Sequence, residues 1–438
     1  MDLLMLNKFF KIQEKGSSIK TELTAGLITF LTMSYILSVN PMILGITGMD
    51  KAALFTATAL ASMIGTLLMA FIANIPVAQA PGMGLNSFFA VTVVLGMGYS
   101  WQFALTAVFI EGLIFLLLTV FNIREMIVNA IPATIKHAIP VGIGLFITLI
   151  GLQHAGIVVS NEHTMLSLGS FSDRGVWVAL FGLLATGIML ARNIPGAILI
   201  GILSSSVLGY FVGKVEMPAN GFVSMPASVA PIFAQFKWQE ILTFDMLFVV
   251  FTFLFVNLFD TIGTLIGVAS KAGLIDEKGN FPQVKKALLA DALGTTLGAV
   301  LGTSPVTSYV ESASGVAAGG RTGLTALSTA AFFFLALFLS PLFLAIPAQA
   351  TAPALVIVGL FMLGSVVNIN FDDFTESLPA YLTIIMMPFA FSIAQGIIFG
   401  MLGFFFMKLF SGRAKDIKLP VYIIVALFIV KIVIDLYQ

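Results

Sequence analysis

Cysteine is absent from this sequence, which excludes disulfides, thiolate metal sites and thiol nucleophiles. Histidine is nearly absent: His137, His154 and His163 are too few and too scattered to form a metal cluster. Charge is scarce as well. Asp, Glu, Lys and Arg make up 10% of the 438 residues, against about 25% in an ordinary soluble domain. Acids and bases balance at 21 each, so no basic field invites nucleic acid. What fills the chain is apolar, with 59% hydrophobic residues and a mean hydropathy of +1.06. Such a chain could not cover its own surface in water. Lipid removes that requirement.

Spanning roughly 30 Å of hydrocarbon takes about 20 helical residues. Apolar segments follow one another at 24–45, 52–73, 77–95, 101–121, 131–153, 175–191, 195–213, 243–270, 286–302, 305–320, 323–346, 350–368, 378–391 and 393–410. We number these segments 1 to 14; a further apolar stretch lies at 419–436. The polar stretch before segment 1 carries Lys8, Lys11, Lys15 and Lys20 and leads into it with no small-residue cleavage site, so segment 1 reads as a retained anchor. With this N-terminus in the cytoplasm and every segment crossing once, only Lys51, Arg174, Lys214 and Lys237 fall in outer loops and Lys431 in the last stretch. The rest of the 21 basic residues fall inside, as the positive-inside rule requires. The expected location is the cytoplasmic membrane, with many passes.

Short motifs recur in order. Ile131-Pro-Ala with Gly144-Leu145-Phe146 returns 215 positions later as Ile346-Pro-Ala with Gly359-Leu360-Phe361. Gly65-Thr66 with Pro76-Val77 returns 229 positions later as Gly294-Thr295 with Pro305-Val306, and Gly201-Ile202 returns as Gly396-Ile397. These matches pair segments 2, 5 and 7 with 9, 12 and 14. The offset in segments is odd, so the second copy is inserted upside down. The expectation is an all-α polytopic membrane protein of two inverted seven-helix repeats, 24–213 and 243–410. Around them lie an N-terminal stretch 1–23, a loop 214–242 and a C-terminal stretch 411–438. Inverted repeats are a device of alternating-access transporters.

Segments 3 and 10, equivalent under the repeat, cannot be simple helices. Segment 3 opens Pro76-Val-Ala-Gln-Ala-Pro-Gly-Met-Gly-Leu-Asn86, and its prolines and glycines forbid a helix before about Leu85. Segment 10 opens Pro305-Val-Thr-Ser-Tyr-Val-Glu311, a β-branched and aromatic run that reads as extended, with a helix only from about Ser312 to Gly320. Each is expected to be a short strand plus a half-helix, and the strands could pair antiparallel. Irregular backbone at membrane depth survives only inside protein or along a watered cavity. Two such breaks therefore predict a central site facing two helix amino ends.

Asp260, Glu311 and Glu111 lie within the apolar segments, where a carboxylate costs several kcal/mol and tends to serve ions or protons. Asp260 and Glu311 are the candidates for proton coupling. Glu111 has no broken helix beside it and reads equally as structural, while Asp291, near the cytoplasmic end of segment 9, reads as an interface residue. Asn86 either caps the segment 3 helix or offers its amide to a ligand.

Ala80-Pro-Gly-Met-Gly-Leu-Asn86-Ser-Phe-Phe, Leu258-Phe-Asp260-Thr-Ile-Gly-Thr-Leu-Ile-Gly267 and Gly302-Thr-Ser-Pro-Val-Thr-Ser-Tyr-Val-Glu311-Ser-Ala-Ser-Gly315-Val-Ala-Ala-Gly-Gly-Arg321-Thr-Gly resemble the hypoxanthine–adenine–guanine permeases, a branch of the nucleobase/ascorbate transporter superfamily. The resemblance runs over nearly the whole chain. It implies a core domain from 24–121 and 243–346 and a gate domain from 131–213 and 350–410. The implied substrate is a purine base, imported with protons, and no cofactor is implied. The family's polar positions fall on Asn86, Asp260 and Glu311. A purine would lie against the two half-helices, near the backbone of Gly82, Gly84, Ser312 and Gly315, and stack on a ring such as Phe259 or Phe88. A second copy of the chain is a further candidate partner. The stretch 419–436 exceeds the fourteen-helix pattern, so either the C-terminus is outside or that helix does not span.

Three other classes compete. Anion transporters share such an architecture, but two converging acids argue against an anionic substrate. An intramembrane enzyme would need a nucleophile–histidine pair or a metal set, and none is visible. A passive channel would keep working without a proton gradient.

Overall fold

A computed structural model describes residues 3–121, 132–161, 164–213, 221–274 and 281–436. Every apolar segment becomes a helix or a broken helix where it was expected. Among the described residues, nine helices are long and apolar enough to cross a membrane. Polar caps set their starts: Asp50 accepts from Ala53 N before segment 2, Asp173 from Gly175 N before segment 6, and Ser392 from Gln395 N before segment 14. Segment 1 has an interior joint, with helix Ile19–Met33 ending at Ser34 and Tyr35 before helix Ile36–Gly45 begins.

Residues 1–120 and 151–354 form one compact unit, and 121–150 with 355–438 form a second. Within the first, Gly65 of segment 2 and Gly294 of segment 9 meet. A Cβ on Gly294 would lie 3.5 Å from Gly65 Cα, and a Cβ on either glycine would touch Gln79 Oε1. Within the second, Gly144 of segment 5 and Gly359 of segment 12 meet, and a Cβ on Gly144 would lie 2.6 Å from the Gly359 carbonyl oxygen. A residue can touch its own repeat equivalent only near the axis that relates the copies. The two glycine pairs found as sequence repeats are therefore the crossing points of the inverted halves.

The Gly144–Gly359 contact leaves no room for a side chain on either residue. Gly359→Ala would press its methyl into the Gly144 carbonyl and the Thr148 hydroxyl, and backbone cannot step aside. Overpacking of this kind costs about 1–3 kcal/mol. The expected result is a thermal midpoint in detergent several degrees below that of the parent; an unchanged midpoint would refute the close crossing.

The strands predicted in segments 3 and 10 are Gln79–Pro81 and Val306–Ser308, and they pair antiparallel with Gln79 opposite Ser308 and Pro81 opposite Val306. Hydrogen bonds from Gly82 N to Pro305 O and from Tyr309 N to Ala78 O extend the ladder at both ends, so the strands answer each other's backbone groups in the interior. The repeat-related threonines secure them: Thr66 Oγ1 donates to Gln79 O, and Thr295 Oγ1 to Val306 O. Past the strands, Gly82 caps helix Met83–Ser87, which continues as a π-helical stretch Phe88–Gly96, while segment 10 resumes as helix Ser312–Ala317. The first helix starts two residues earlier than expected and the second ends three residues sooner. Arg321 explains that stop, because its guanidinium donates to the carbonyls of Val316 and Gly320.

Candidate functional site

The paired strands, the half-helices and segments 1, 8 and 9 bring a set of polar side chains together inside the first unit. Glu311 directly precedes helix Ser312–Ala317, but its side chain does not cap that helix. Its Oε1 instead accepts from the Tyr35 hydroxyl at 2.6 Å, in the joint of segment 1. Asp260, half-buried on segment 8, accepts from Thr307 Oγ1 on the neighbouring strand at 3.4 Å. It lies within electrostatic reach of both Glu311 and Asp291. No Lys or Arg pairs with Asp260 or Glu311 among the described residues.

Asn86 is fully buried and sits inside its helix, so it is not the cap. Its Oδ1 accepts from Ser304 Oγ, and its Nδ2 has no partner among the described residues. An unmet donor in the interior costs roughly 1–3 kcal/mol, and a ligand carbonyl or ring nitrogen would relieve it. The backbone N–H of Gly82 is taken by Pro305, and a Cβ there would strike Thr307. Gly84 lies in the first turn of its helix. Ser312 N donates to Tyr309 O, and Ser312 Oγ accepts from Ala78 N. Gly315 faces away, letting its helix press against Ala25 and Thr29 of segment 1. Phe88 packs edge-on against Phe253 in the core, and the side chain of Phe259 lies outside the described residues.

The largest departure from the sequence reading is Asp291. It is no interface residue: it is fully buried and accepts from Gln79 Nε2 at 2.9 Å, Thr261 Oγ1 at 3.0 Å and Ser308 Oγ at 3.1 Å. Thr261 leads on to Asn257 Oδ1, and Asn257 Nδ2 donates to Glu111 Oε1 at 3.0 Å. Glu111 thus belongs to a buried hydrogen-bonded chain that runs through Asn257 and Thr261 to Asp291. Sequence reading gave Tyr35, Gln79 and Tyr309 no role and placed Asp291 at the membrane surface, since a side chain's partners across the fold leave no mark on the local sequence.

These acids differ in their support. Among the described residues, Asp291 accepts from at least three side-chain donors and Glu311 from the close Tyr35 phenol, whereas the donor to Asp260 is the distant Thr307 hydroxyl. Hydrogen bonds to a carboxylate favour its charged form. Neighbouring groups with different support are the arrangement that separates proton-carrying from charge-holding roles.

A second polar cluster lies in the second unit, around a cavity of about 570 Å³. Buried Lys408 pairs there with Glu376 at 2.6 Å, and Arg413 with Asp373 at 2.6 Å. The Thr375 hydroxyl and amide, ahead of Arg413, hold Asp373 down to about 2. These ion pairs tie the start of the segment 13 helix to the end of segment 14.

Comparison with known proteins agrees with this architecture. Residues 20–399 match a family model described as Permease family. The chain is 45% identical over 429 residues to the adenine permease AdeP of Escherichia coli, covering 98% of this chain and 96% of that one. It is 45% identical over 436 residues to the guanine/hypoxanthine permease PbuG of Bacillus subtilis, covering 97% and 98%. Among solved structures, the transmembrane domain of the cyanobacterial bicarbonate transporter BicA superposes with a TM-score of 0.62 at 14% identity, covering 87% of this chain and 97% of that one. That likeness shows the inverted-repeat fold alone.

Proposed function

Because this chain belongs to the Permease family of nucleobase transporters, and is thus a multi-pass membrane permease rather than an enzyme, we propose that it imports purine bases by proton symport through alternating access. The N-terminus would face the cytoplasm of a cell whose plasma membrane holds the protein. The observation that carries the reading is the meeting of Asp260 and Glu311 beside the paired strands with no cation to neutralise them. A purine is neutral and presents ring N–H groups alongside bare ring nitrogens. A carboxylate accepts the former, and the unmet Asn86 amide serves the latter.

The roles divide by hydrogen-bond support. Glu311, held by Tyr35, stays ionised and takes a purine N–H. Asp260, with the least support, picks up the coupled proton from outside and releases it inside. Two ionised carboxylates side by side in the interior repel each other and together are costly to move, so the loaded site moves only when one of them is protonated. An anion at this place would meet like charge, which disfavours the bicarbonate or sulfate reading that the fold alone permits.

Purified protein in proteoliposomes decides between these. Labelled hypoxanthine, guanine or adenine is expected to accumulate when the outside is acidic, and a protonophore is expected to reduce uptake to equilibration. Sulfate or bicarbonate uptake without purine uptake would overturn the assignment. Purine uptake indifferent to the protonophore would reduce it to facilitated diffusion.

A further inference from the structure

Segment 1 reaches this site through the hydroxyl of Tyr35. The joint that carries it separates two helices with different partners. Helix Ile19–Met33 packs on segment 11 and on helix Ser312–Ala317, and helix Ile36–Gly45 packs on segment 2 and on the start of segment 3. Tyr35 is 1% exposed, and its hydroxyl lies 2.6 Å from Glu311 Oε1. The other nearby phenol is already committed, since Tyr309 donates to the Pro81 carbonyl at 2.5 Å. The remaining donor to the Glu311 carboxylate is that residue's own backbone N–H.

We infer that Tyr35 is the positioning residue of the purine site: its hydroxyl holds the Glu311 carboxylate ionised and aimed as the acceptor for a purine N–H. The inference rests on the purine reading above and names how one of its contacts is set. The groups that face Glu311 are Tyr35 from segment 1, Tyr309 from the end of the second strand and Asp260 from segment 8. Glu22, also on segment 1, is engaged elsewhere, accepting from the backbone N–H groups of Arg321, Thr322 and Thr325. Among the described residues, Tyr35 is therefore the side-chain donor to Glu311. A buried tyrosine that merely needed an acceptor would show the same contact, so the test must read more than stability.

Tyr35→Phe keeps the ring and removes the hydroxyl. Losing a donor to a charged group disfavours that charge. Purine KM is expected to rise about tenfold with kcat within about twofold, as a contact worth one charge-assisted hydrogen bond requires. The acid limb of purine binding, measured at equal pH on both sides, is expected to move up by about one pH unit. Placing 3,5-difluorotyrosine at position 35 sharpens the donor without changing the fold, and is expected to move the limb the opposite way. It also carries the test should Tyr35→Phe fail to fold.

An unmoved acid limb in both variants, or movement in the same direction, overturns the inference even if the melting temperature falls. In a Glu311→Gln background, Tyr35→Phe is expected to change KM by less than about twofold, and a full tenfold effect there would show that Tyr35 acts elsewhere. If Glu311→Gln alone leaves purine binding at the parent level, the purine reading of Glu311 fails first. That result is distinct from either Tyr35 outcome.

Discussion

Asp260→Asn abolishes uphill purine uptake while leaving exchange of purine for purine in place. This is the expected result of removing the carboxylate with the least hydrogen-bond support from a site that also holds Glu311 and Asp291. Asparagine keeps the size and can still meet Thr307, but it neither takes up nor releases a proton. With one proton per purine, an inward gradient of one pH unit sustains about tenfold accumulation; in the variant the ratio is expected to settle at one. Counterflow, which needs no net proton movement, is expected to survive within about tenfold. If Asp260→Asn still concentrated purine against its gradient, the proton would have to travel on another group. Glu311→Gln would then be the variant to lose accumulation.

Asp291 bears on the fold with comparable force. Asp291→Ala strands three buried donors, those of Gln79, Thr261 and Ser308. Each costs roughly 1–3 kcal/mol when left unmet in the interior, and together they approach the 5–15 kcal/mol that keeps a typical domain folded. The expected outcome is almost no monodisperse protein on size-exclusion in detergent. Asp291→Asn retains one acceptor oxygen and is expected to recover most of the yield with a lowered melting temperature. A well-behaved Asp291→Ala protein melting close to the parent would show that water, rather than the carboxylate, satisfies these donors.

Much of the architecture could be read from the chain because its strongest signals are local. Prolines at 76, 81 and 305, clustered with Gly82 and with β-branched residues, interrupt helix locally, so the two breaks were visible without any knowledge of packing. The glycine repeats were visible because backbones that cross closely favour glycine. The roles of Asp291 and Tyr35 were not visible, for a geometric reason. Asp291 lies five residues beyond Lys286, about 8 Å along a helix, so position along the chain suggested the membrane surface. What decides its fate is the face it occupies, turned toward the strands, and hydropathy does not record a face. Tyr35 bonds a residue 276 positions away. Only the fold could introduce them.

The strand pair has a consequence for how the protein is made. Gln79 faces Ser308, 229 residues downstream. At ordinary elongation rates the first strand is synthesised roughly 10 to 45 s before its partner. Throughout that interval a newborn half-protein in the translocon carries bare peptide groups with nothing to bind. Its first segments must linger in a wet or chaperoned vestibule until the second half emerges. A nascent chain stalled before residue 305 should accordingly be far more readily degraded by membrane proteases than the finished one.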